Sequence, residues 1–565
     1  MTTRDNYARW LESAKVSTTM KEQMKAMSLE EIDESFFKNI EFGTAGMRGI
    51  LGPGTNRMNF FTIQKAAVGF ALYLREKFAG ARSSGVVISH DNRHMSREFT
   101  MQIADIFSKM GIRTYIFDSL RPTPELSFAV SYMKACGGVM ITASHNPKEY
   151  NGFKVYDEHG CQLIPDKIAR LIDIIDSLPD ELNLEVIESV KRGEIITLDK
   201  TVDDEYVRLV KLIQLNPNLP KKGYKIVFTP NHGTSYVNAM RVFNDCGYEI
   251  YPVLSQIEPD PDFSGTLSPN PEDKRSYIEP TKLARQIGAQ LIVMTDPDGD
   301  RVGLSFLSSK GEYELLTGNQ SAALLIDYLL KERKRLGRLS KKGIVYDTIV
   351  SSDLGRTIAK SYGLKVETFL TGFKFIGNRI QHYLENGGPT FEFGYEESYG
   401  CLIAPFARDK DGIQAILMYC EMALYHHLHG KTLDVVYDEL QQKHGYRLDV
   451  SYSVDFRGSA GIQKMRDIMK RLSDREITSI AGHHVVEVRD YMTQTITNEG
   501  ETYSLDTPKA DVVILILDDE SSIAVRPSGT EPKCKFYFGV KGPSAEAIKN
   551  IPNKLFNEIK NILVI

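Results

Sequence analysis

The chain reads as an α/β protein of four domains, three of them related and the fourth a smaller α+β unit. Three observations predict this. Its 565 residues exceed what one hydrophobic core accommodates, and about 150 residues per domain gives roughly four. From residue 86 to residue 394 a β-α-β-α-β rhythm recurs three times, the mark of repeated α/β units instead of one large sheet. In the last 115 or so residues that rhythm gives way to a helix, several strand runs and a closing helix.

A helix-like stretch over about 4–38 opens the chain and leads into FGTAGMRGILGPG. In the first repeat VVISH (86–90) reads as a buried strand and SREFTMQIADIFSKMG as a helix, followed by the strands RTYIF and GGVMIT (137–142). The second repeat holds KIVFTP (225–230), a helix near 234–245, YEIYPV, a helix near 280–288 and LIVMT (291–295). The third holds GIVYD (343–347), a helix near 352–361, KVETFL, a helix near 373–385 and TFEFG (390–394). A helix near 461–473 then precedes VVEVRDY, VVILIL and CKFYFGV. The expected domains are 1–207, 208–322, 323–450 and 451–565.

With 42% apolar and 25% charged residues, the profile is that of a globular protein able to bury several cores. A net charge of −5 gives no support for a nucleic acid or membrane partner. The six cysteines are scattered without a CxxC pair, which points to reduced thiols and not to a disulfide framework or zinc site. No apolar run approaches the roughly 18 residues that span a bilayer, and the opening residues lack an apolar signal core. A cytoplasmic location is expected.

The third strand of each repeat runs into a polar loop: TASHNP (142–147), DPDGDR (296–301) and YEESYG (395–400). Ligands of α/β sheets bind outside the carboxyl ends of strands, so three such loops would converge on one cleft. Asp296, Asp298 and Asp300 stand at i, i+2 and i+4, which in an extended loop turns all three to one side. Like charges that close call for a cation or protons, and Mg²⁺ suits an oxygen site that also receives phosphate. An EF-hand fails on count, because Arg301 and Leu307 stand where Gly and Glu are required. A solvated acidic turn is the alternative.

Ser144 is followed by His145 and Asn146. Adjacency does not make a catalytic pair, and no GxSxG elbow surrounds the serine. A phosphate carrier beside a metal is the better reading, against an ST-turn before Pro147. Glu396 and Ser398 offer an acceptor and a hydroxyl suited to vicinal sugar hydroxyls, or else form an acidic surface turn. RPSGTEPK (526–533) gathers Arg526, Ser528, Gly529, Thr530 and Lys533 into an anion nest or an ordinary basic turn. FGTAGMRG (42–49), TGFKFIG (371–377) and RDKDG (408–412) present Arg48, Lys374, Arg408 and Lys410 to an anionic substrate or to solvent. HGKT (429–432) is not a P-loop, since Tyr425 replaces the required glycine and the segment reads as helical.

Taken together and in order, TASHNP, DPDGDR, YEESYG and RPSGT resemble the four signature loops of the α-D-phosphohexomutase superfamily, from Gly43 to about Phe538. The wording TASHNPKEYNGFKVY, LTGNQ, TGFKFIG, FARDKDG and RPSGTEPKCKFYF is similar to the branch of bacterial α-phosphoglucomutase and animal phosphoglucomutase-2/phosphopentomutase. The resemblance implies four domains around a deep cleft: phosphoserine, metal-binding, sugar-binding and phosphate-binding. It implies an isomerase, an intramolecular phosphotransferase exchanging glucose 1-phosphate and glucose 6-phosphate, with glucose 1,6-bisphosphate as intermediate and activator. Phosphopentomutase or phosphomannomutase activity by the same mechanism is the alternative.

Ser144 would then be the phosphoserine and, with Asp296, Asp298 and Asp300, would hold one Mg²⁺ per chain, with Arg301 beside the phosphate. Lys154 would be the candidate general acid or base, supported by Arg48 and His145, and Lys410 would face the transferred phosphate. Glu396 and Ser398 would bind sugar hydroxyls, with Thr371, Gly372 and Lys374 in the same substrate site. Arg526, Ser528, Gly529 and Thr530 would hold the phosphate not being transferred. Tyr395 departs from the family's usual Gly and is expected beside the sugar site, and Pro297 departs from Gly or Ala. The oligomeric state has no signature in the sequence.

Overall fold

The computed structural model describes residues 2–43, 46–456, 458–498, 500–528 and 533–565, and at 81–82, 458–460 and 462 the backbone alone. Three short helices, Thr3–Glu12, Thr18–Ala26 and Leu29–Phe36, replace the single opening stretch. Thr2, Ser17 and Ser28 cap them, and each cap hydroxyl accepts an N–H of the turn it starts, so the caps divide the segment.

Twenty-four strands follow among the described residues. The first sheet contains β1 (Phe42–Gly43), β2 (Gly46–Ile50), β3 (Val86–His90), β4 (Thr114–Phe117), β5 (Gly137–Ile141), β6 (Tyr150–Tyr156) and β7 (Ile195–Leu198), ordered β1-β2-β6-β5-β3-β4-β7. The second contains β8 (Lys225–Thr229), β9 (Glu249–Pro252), β10 (Leu291–Thr295), β11 (Val302–Leu307) and β12 (Tyr313–Leu315), ordered β12-β11-β10-β8-β9. The third contains β13 (Gly343–Thr348), β14 (Lys365–Phe369), β15 (Thr390–Tyr395) and β16 (Cys401–Leu402), ordered β14-β13-β15-β16.

These sheets repeat one plan. Three parallel strands stand in the order third-first-second, and an antiparallel strand returns against the third: β6 on β5, β11 on β10, β16 on β15. The first parallel strand of each unit, β3, β8 and β13, is a mostly apolar, buried run because both faces are covered; Val87 packs in one cluster while Val86 and Ile88 pack in another. Each polar loop foreseen at a strand end is therefore the tip of an antiparallel hairpin, clamped by the sheet at both ends. The return strands were not foreseen, since NGFKVY lacks a plain apolar alternation and β16 spans only two residues.

The C-terminal region holds β17 (Tyr446–Asp455), β18 (Ser479–Ile480), β19 (His483–Asp490), β20 (Thr495–Asn498), β21 (Glu501–Ser504), β22 (Val513–Leu517), β23 (Ser522–Pro527) and β24 (Lys533–Gly542). They pair antiparallel in the order β17-β24-β23-β22-β19-β20-β21, with β18 on β19. Ile468 and Leu472 from helix Gly458–Ser473, and Leu555 and Ile559 from helix Ile551–Leu563, cover one face. The HGKT segment lies in the turn between helices Gly412–Leu428 and Leu433–His444 instead of within a helix, because Gly430 takes a positive φ of 73° that ends the first of them.

One apolar cluster runs through the first three units, joining Val87, Phe228, Leu325, Tyr395 and Leu417. The C-terminal unit has its own core and meets the third through Leu370, Tyr491, Val512, Ile514 and Ala524, and through Asp353, which pairs with Arg447 and with Lys541 at 3.0 Å. Phe536, fully buried beside Phe556, anchors that separate core. Phe536→Ala should destabilise it by about 3–5 kcal/mol. Calorimetry of the variant should show the C-terminal transition falling while that of the first three units stays.

Candidate active site

Ser144 sits at the first hairpin tip, 3% exposed and at φ 53°, a left-handed backbone that a non-glycine residue keeps only when its surroundings enforce it. The enforcement is visible. Its N–H donates to Thr142 Oγ1 at 2.8 Å, and that hydroxyl donates to Asp91 Oδ2 at 2.6 Å. The buried Arg93 guanidinium donates to the carbonyls of Ser144 (2.6 Å), Asn146 (2.5 Å), Pro147 (2.7 Å) and Tyr150 (3.1 Å) while paired with Asp91 at 3.1 Å. Ser144 Oγ donates to Asp296 Oδ2 at 2.7 Å and lies 3.2 Å from His145 Nδ1.

Asp296, Asp298 and Asp300 are buried, and one oxygen of each lies within 4.8 Å of the others. The N–H groups of Asp300 (3.1 Å) and Arg301 (3.0 Å) donate to Asp296 Oδ1, which curls the loop around that carboxylate. Lys154 Nζ at 2.7 Å and Thr123 Oγ1 at 2.9 Å donate to Asp298 Oδ2. Asp298 Oδ1 and Asp300 Oδ1 are buried yet accept no hydrogen bond. Buried acceptors left over in a ring of carboxylates fit a hard divalent cation, which takes oxygen ligands. Burial and the two neighbouring carboxylates push the Asp296 carboxyl well above the usual range. At Asp298 burial acts the same way, but Lys154 outweighs it and holds the carboxyl below that range.

Lys410 Nζ lies 3.1 Å from Asp300, 3.4 Å from Asp409 and 3.6 Å from Glu396. Burial would lower its ammonium, but Asp300 and the other two carboxylates outweigh it and keep the lysine charged. Glu396 in turn accepts the Gly372 N–H at 2.8 Å, tying the TGFKFIG loop, with Thr371, to the YEESYG tip. A Cβ at Gly400 would stand 2.0 Å from Lys410 Cδ, so a larger residue there would displace this lysine. Lys374, 7% exposed, is lowered to about 8 by burial and by Arg526, against Glu396. Arg301 pairs with Glu272 at 3.0 Å and lies 3.8 Å from Asp300. Arg48 Nη1 donates to Asn146 Oδ1 at 2.9 Å. Burial, with Arg301 and Arg48 nearby, drives the His145 imidazole well below its ordinary value, so this ring is neutral near pH 7.

Ser144, His145, Arg48, Lys154, the three aspartates, Arg301, Lys410, Glu396 and Gly372 thus lie in one network, and Ser398 is half-buried on the Glu396 tip. Arg526 faces Lys374 from the C-terminal sheet, and the Ser528 N–H donates to Lys533 O at 2.8 Å. Gly529 and Thr530 lie outside the described residues. Between the sheets lies a cleft of about 550 Å³, lined by His145, Asn146, Glu272, Lys533 and Lys535 among others.

Two expectations change. Tyr395 is not at the sugar site: its ring is 1% exposed, its hydroxyl donates to Ser352 O at 3.2 Å, and it fills the shared core. Residue 395 ends a strand, and its side chain falls on the sheet face that the shared core covers. Arg408 donates to Gln381 Oε1 at 3.0 Å and to Ala407 O at 3.3 Å, so its guanidinium is occupied at helix Phe373–Asn386. Asp91, Arg93, Thr123 and Glu272 were missed. The first two follow the strand VVISH, so the strand-end rule, applied to first as well as third strands, would have reached them.

The four segments match family models described as phosphoglucomutase/phosphomannomutase alpha/beta/alpha domain I (residues 39–181), domain II (204–307), domain III (317–444) and C-terminal domain (487–558). A phosphoglucomutase of Staphylococcus epidermidis is 38% identical over 534 residues, 94% of this chain and 96% of the relative. One from Staphylococcus aureus is 36% identical over 543 residues, 95% and 96%. The crystal structure of a putative phosphomannomutase from Thermus thermophilus superposes with a TM-score of 0.67 at 22% identity, covering 93% of this chain and 99% of that one.

Arg93 gives the serine loop its shape. Arg93→Ala strands the Asp91 charge and four carbonyls, and should cost about 3–5 kcal/mol of stability. Denaturant unfolding reads the loss, and amide exchange should quicken across residues 142–149 more than elsewhere in the first sheet.

Proposed function

The chain belongs to the phosphoglucomutase/phosphomannomutase family, and on that premise we propose that it interconverts glucose 1-phosphate and glucose 6-phosphate through a phosphorylated Ser144 and bound glucose 1,6-bisphosphate. It is an isomerase that works by phosphoryl transfer. One observation carries the assignment of the site: Ser144 Oγ reaches 2.7 Å to the first of three buried aspartates, two of which keep an oxygen that accepts no hydrogen bond.

In the forward step the Oγ–P bond of phospho-Ser144 breaks as a P–O bond forms to the free hydroxyl of the sugar phosphate, whose proton passes by way of an acid–base group to the departing Ser144 Oγ. Lys154, 2.7 Å from Asp298 and facing the same space, is the candidate acid–base group. After the bisphosphate turns over, Ser144 Oγ gives up its proton as it bonds to the other phosphorus, the P–O bond from that phosphorus to the sugar breaks, and the proton passes to the sugar oxygen that departs. One Mg²⁺, which Asp296, Asp298, Asp300 and a phosphoserine oxygen would hold, supplies charge neutralisation when bound. Arg301, Lys410 and Arg48 add fixed positive charge around the transferring group. Glu396 and Ser398 would take sugar hydroxyls beside Thr371, Gly372 and Lys374. Arg526 and Ser528, with Gly529 and Thr530, would hold the other phosphate in both substrate orientations.

Among the described residues no helix is long and apolar enough to cross a membrane, and all six cysteines are free. A cytoplasmic location is included in this proposal.

A panel of glucose, mannose and ribose 1-phosphates, with Mg²⁺ and catalytic glucose 1,6-bisphosphate, should give the highest kcat/KM for glucose. A preference for ribose or mannose would move the protein to the corresponding mutase with the mechanism unchanged. Ser144→Ala should lose at least about a thousandfold in kcat, and substantial retained turnover would remove Ser144 from the mechanism. Because Lys374 titrates at about 8 and only its protonated form attracts phosphate, kcat/KM should fall as pH rises through 8. In Lys374→Arg the charge persists, and that fall should disappear from the pH profile.

A further inference from the structure

We propose that Thr123 is a positioning residue for the divalent cation, fixing which oxygen of Asp298 the cation takes. The inference rests on the reading of the three aspartates as the cation site.

Thr123 belongs to the first unit, at the start of helix Thr123–Tyr132, and is fully buried. It grips the DPDGDR loop of the second unit twice. Its N–H donates to Asp298 O at 2.8 Å and its hydroxyl to Asp298 Oδ2 at 2.9 Å. Lys154 donates to the same Oδ2 at 2.7 Å, so that oxygen has two donors while Oδ1, also buried, accepts no hydrogen bond. A carboxylate without such a bias can rotate and present either oxygen; an ammonium and a hydroxyl on one oxygen remove that choice. The loop also packs closely beside the threonine, where a Cβ on Gly299 would lie 2.9 Å from Pro122 Cβ.

The helix itself does not depend on this hydroxyl. Two residues on, Glu125 accepts from Asn238 at 2.8 Å. Two further on, Ser127 accepts the Arg408 N–H at 2.8 Å and donates to Gly160 O at 2.6 Å. Removing the Thr123 hydroxyl therefore leaves the helix anchored to all three units, and the backbone N–H still holds Asp298 O.

The test is a calorimetric Mg²⁺ titration of the full chain, dephosphorylated, as wild type, Thr123→Val and Thr123→Ser. Loss of a partner that orients a metal ligand typically weakens metal binding by about 10–100-fold, so Thr123→Val should raise the Mg²⁺ Kd by that factor while Thr123→Ser stays within about threefold of wild type. At saturating Mg²⁺, Thr123→Val should recover kcat, with the KM for sugar phosphate unmoved. Unchanged Mg²⁺ affinity in Thr123→Val would overturn the inference. So would an equal loss in Thr123→Ser, which would assign the effect to packing instead of to the hydroxyl. Thr123→Ala, which adds no bulk, replaces the valine variant if that one does not fold. A wild-type chain that takes up no Mg²⁺ would overturn the cation site and this inference with it. Loss of the Ser144 mechanism alone would leave the Mg²⁺ result standing.

Discussion

Three carboxylates within 4.8 Å of one another, out of contact with water, repel too strongly to persist without compensating charge. Much of the surrounding structure answers that demand. Lys154 arrives from the first sheet and Lys410 from the third, so neighbouring units join Arg301 of the loop itself in neutralising the acidic loop of the second sheet. The charge balance is thereby also a joint. Separating the first three units would expose apolar surface and strand lysines and aspartates at once, which accords with the single apolar cluster that runs through them.

The repeated sheet plan explains how three loops can be held tightly enough for phosphoryl chemistry. A loop after a parallel strand is fixed at one end only and then wanders into a helix. Here the antiparallel return strand fixes the other end, so Ser144, Asp296 and Glu396 each sit on a short tip between two paired strands. Buried polar contacts finish the work. Arg93 holds four carbonyls of one tip, and Gly412 N–H donates to Gly299 O at 3.0 Å, docking the RDKDG loop on another.

What could be read in the sequence was what depends on local spacing. The aspartates at i, i+2 and i+4, the apolar strand runs and the glycine-marked loops all declare themselves within a few residues. The supports did not, because their partners lie far away and are mostly backbone. Arg93 meets carbonyls more than fifty residues on, and Thr123 meets Asp298 across two units. Nothing in either segment hints at such a partner. The neutral state of His145 and the lowered amine of Lys374 come from burial and from charges brought by other units, which no linear pattern records. Tyr395 shows the converse: a residue adjacent in sequence to a site loop can belong wholly to the core.

The clamped hairpins have a consequence for Lys154. On β6, Phe153 and Val155 point into one apolar cluster while Lys154 and Tyr156 point the other way, the lysine to Asp298 and the tyrosine to Asp409. The strand is set against β5 with Lys154 opposite Met140. Side chains alternate with a period of two, so parity decides which residue meets the acidic loop. Deleting or inserting a single residue in β6 would deliver a phenylalanine or valine to the aspartates and drive an ammonium into hydrocarbon. Between residues 150 and 156, length is therefore under tighter constraint than composition.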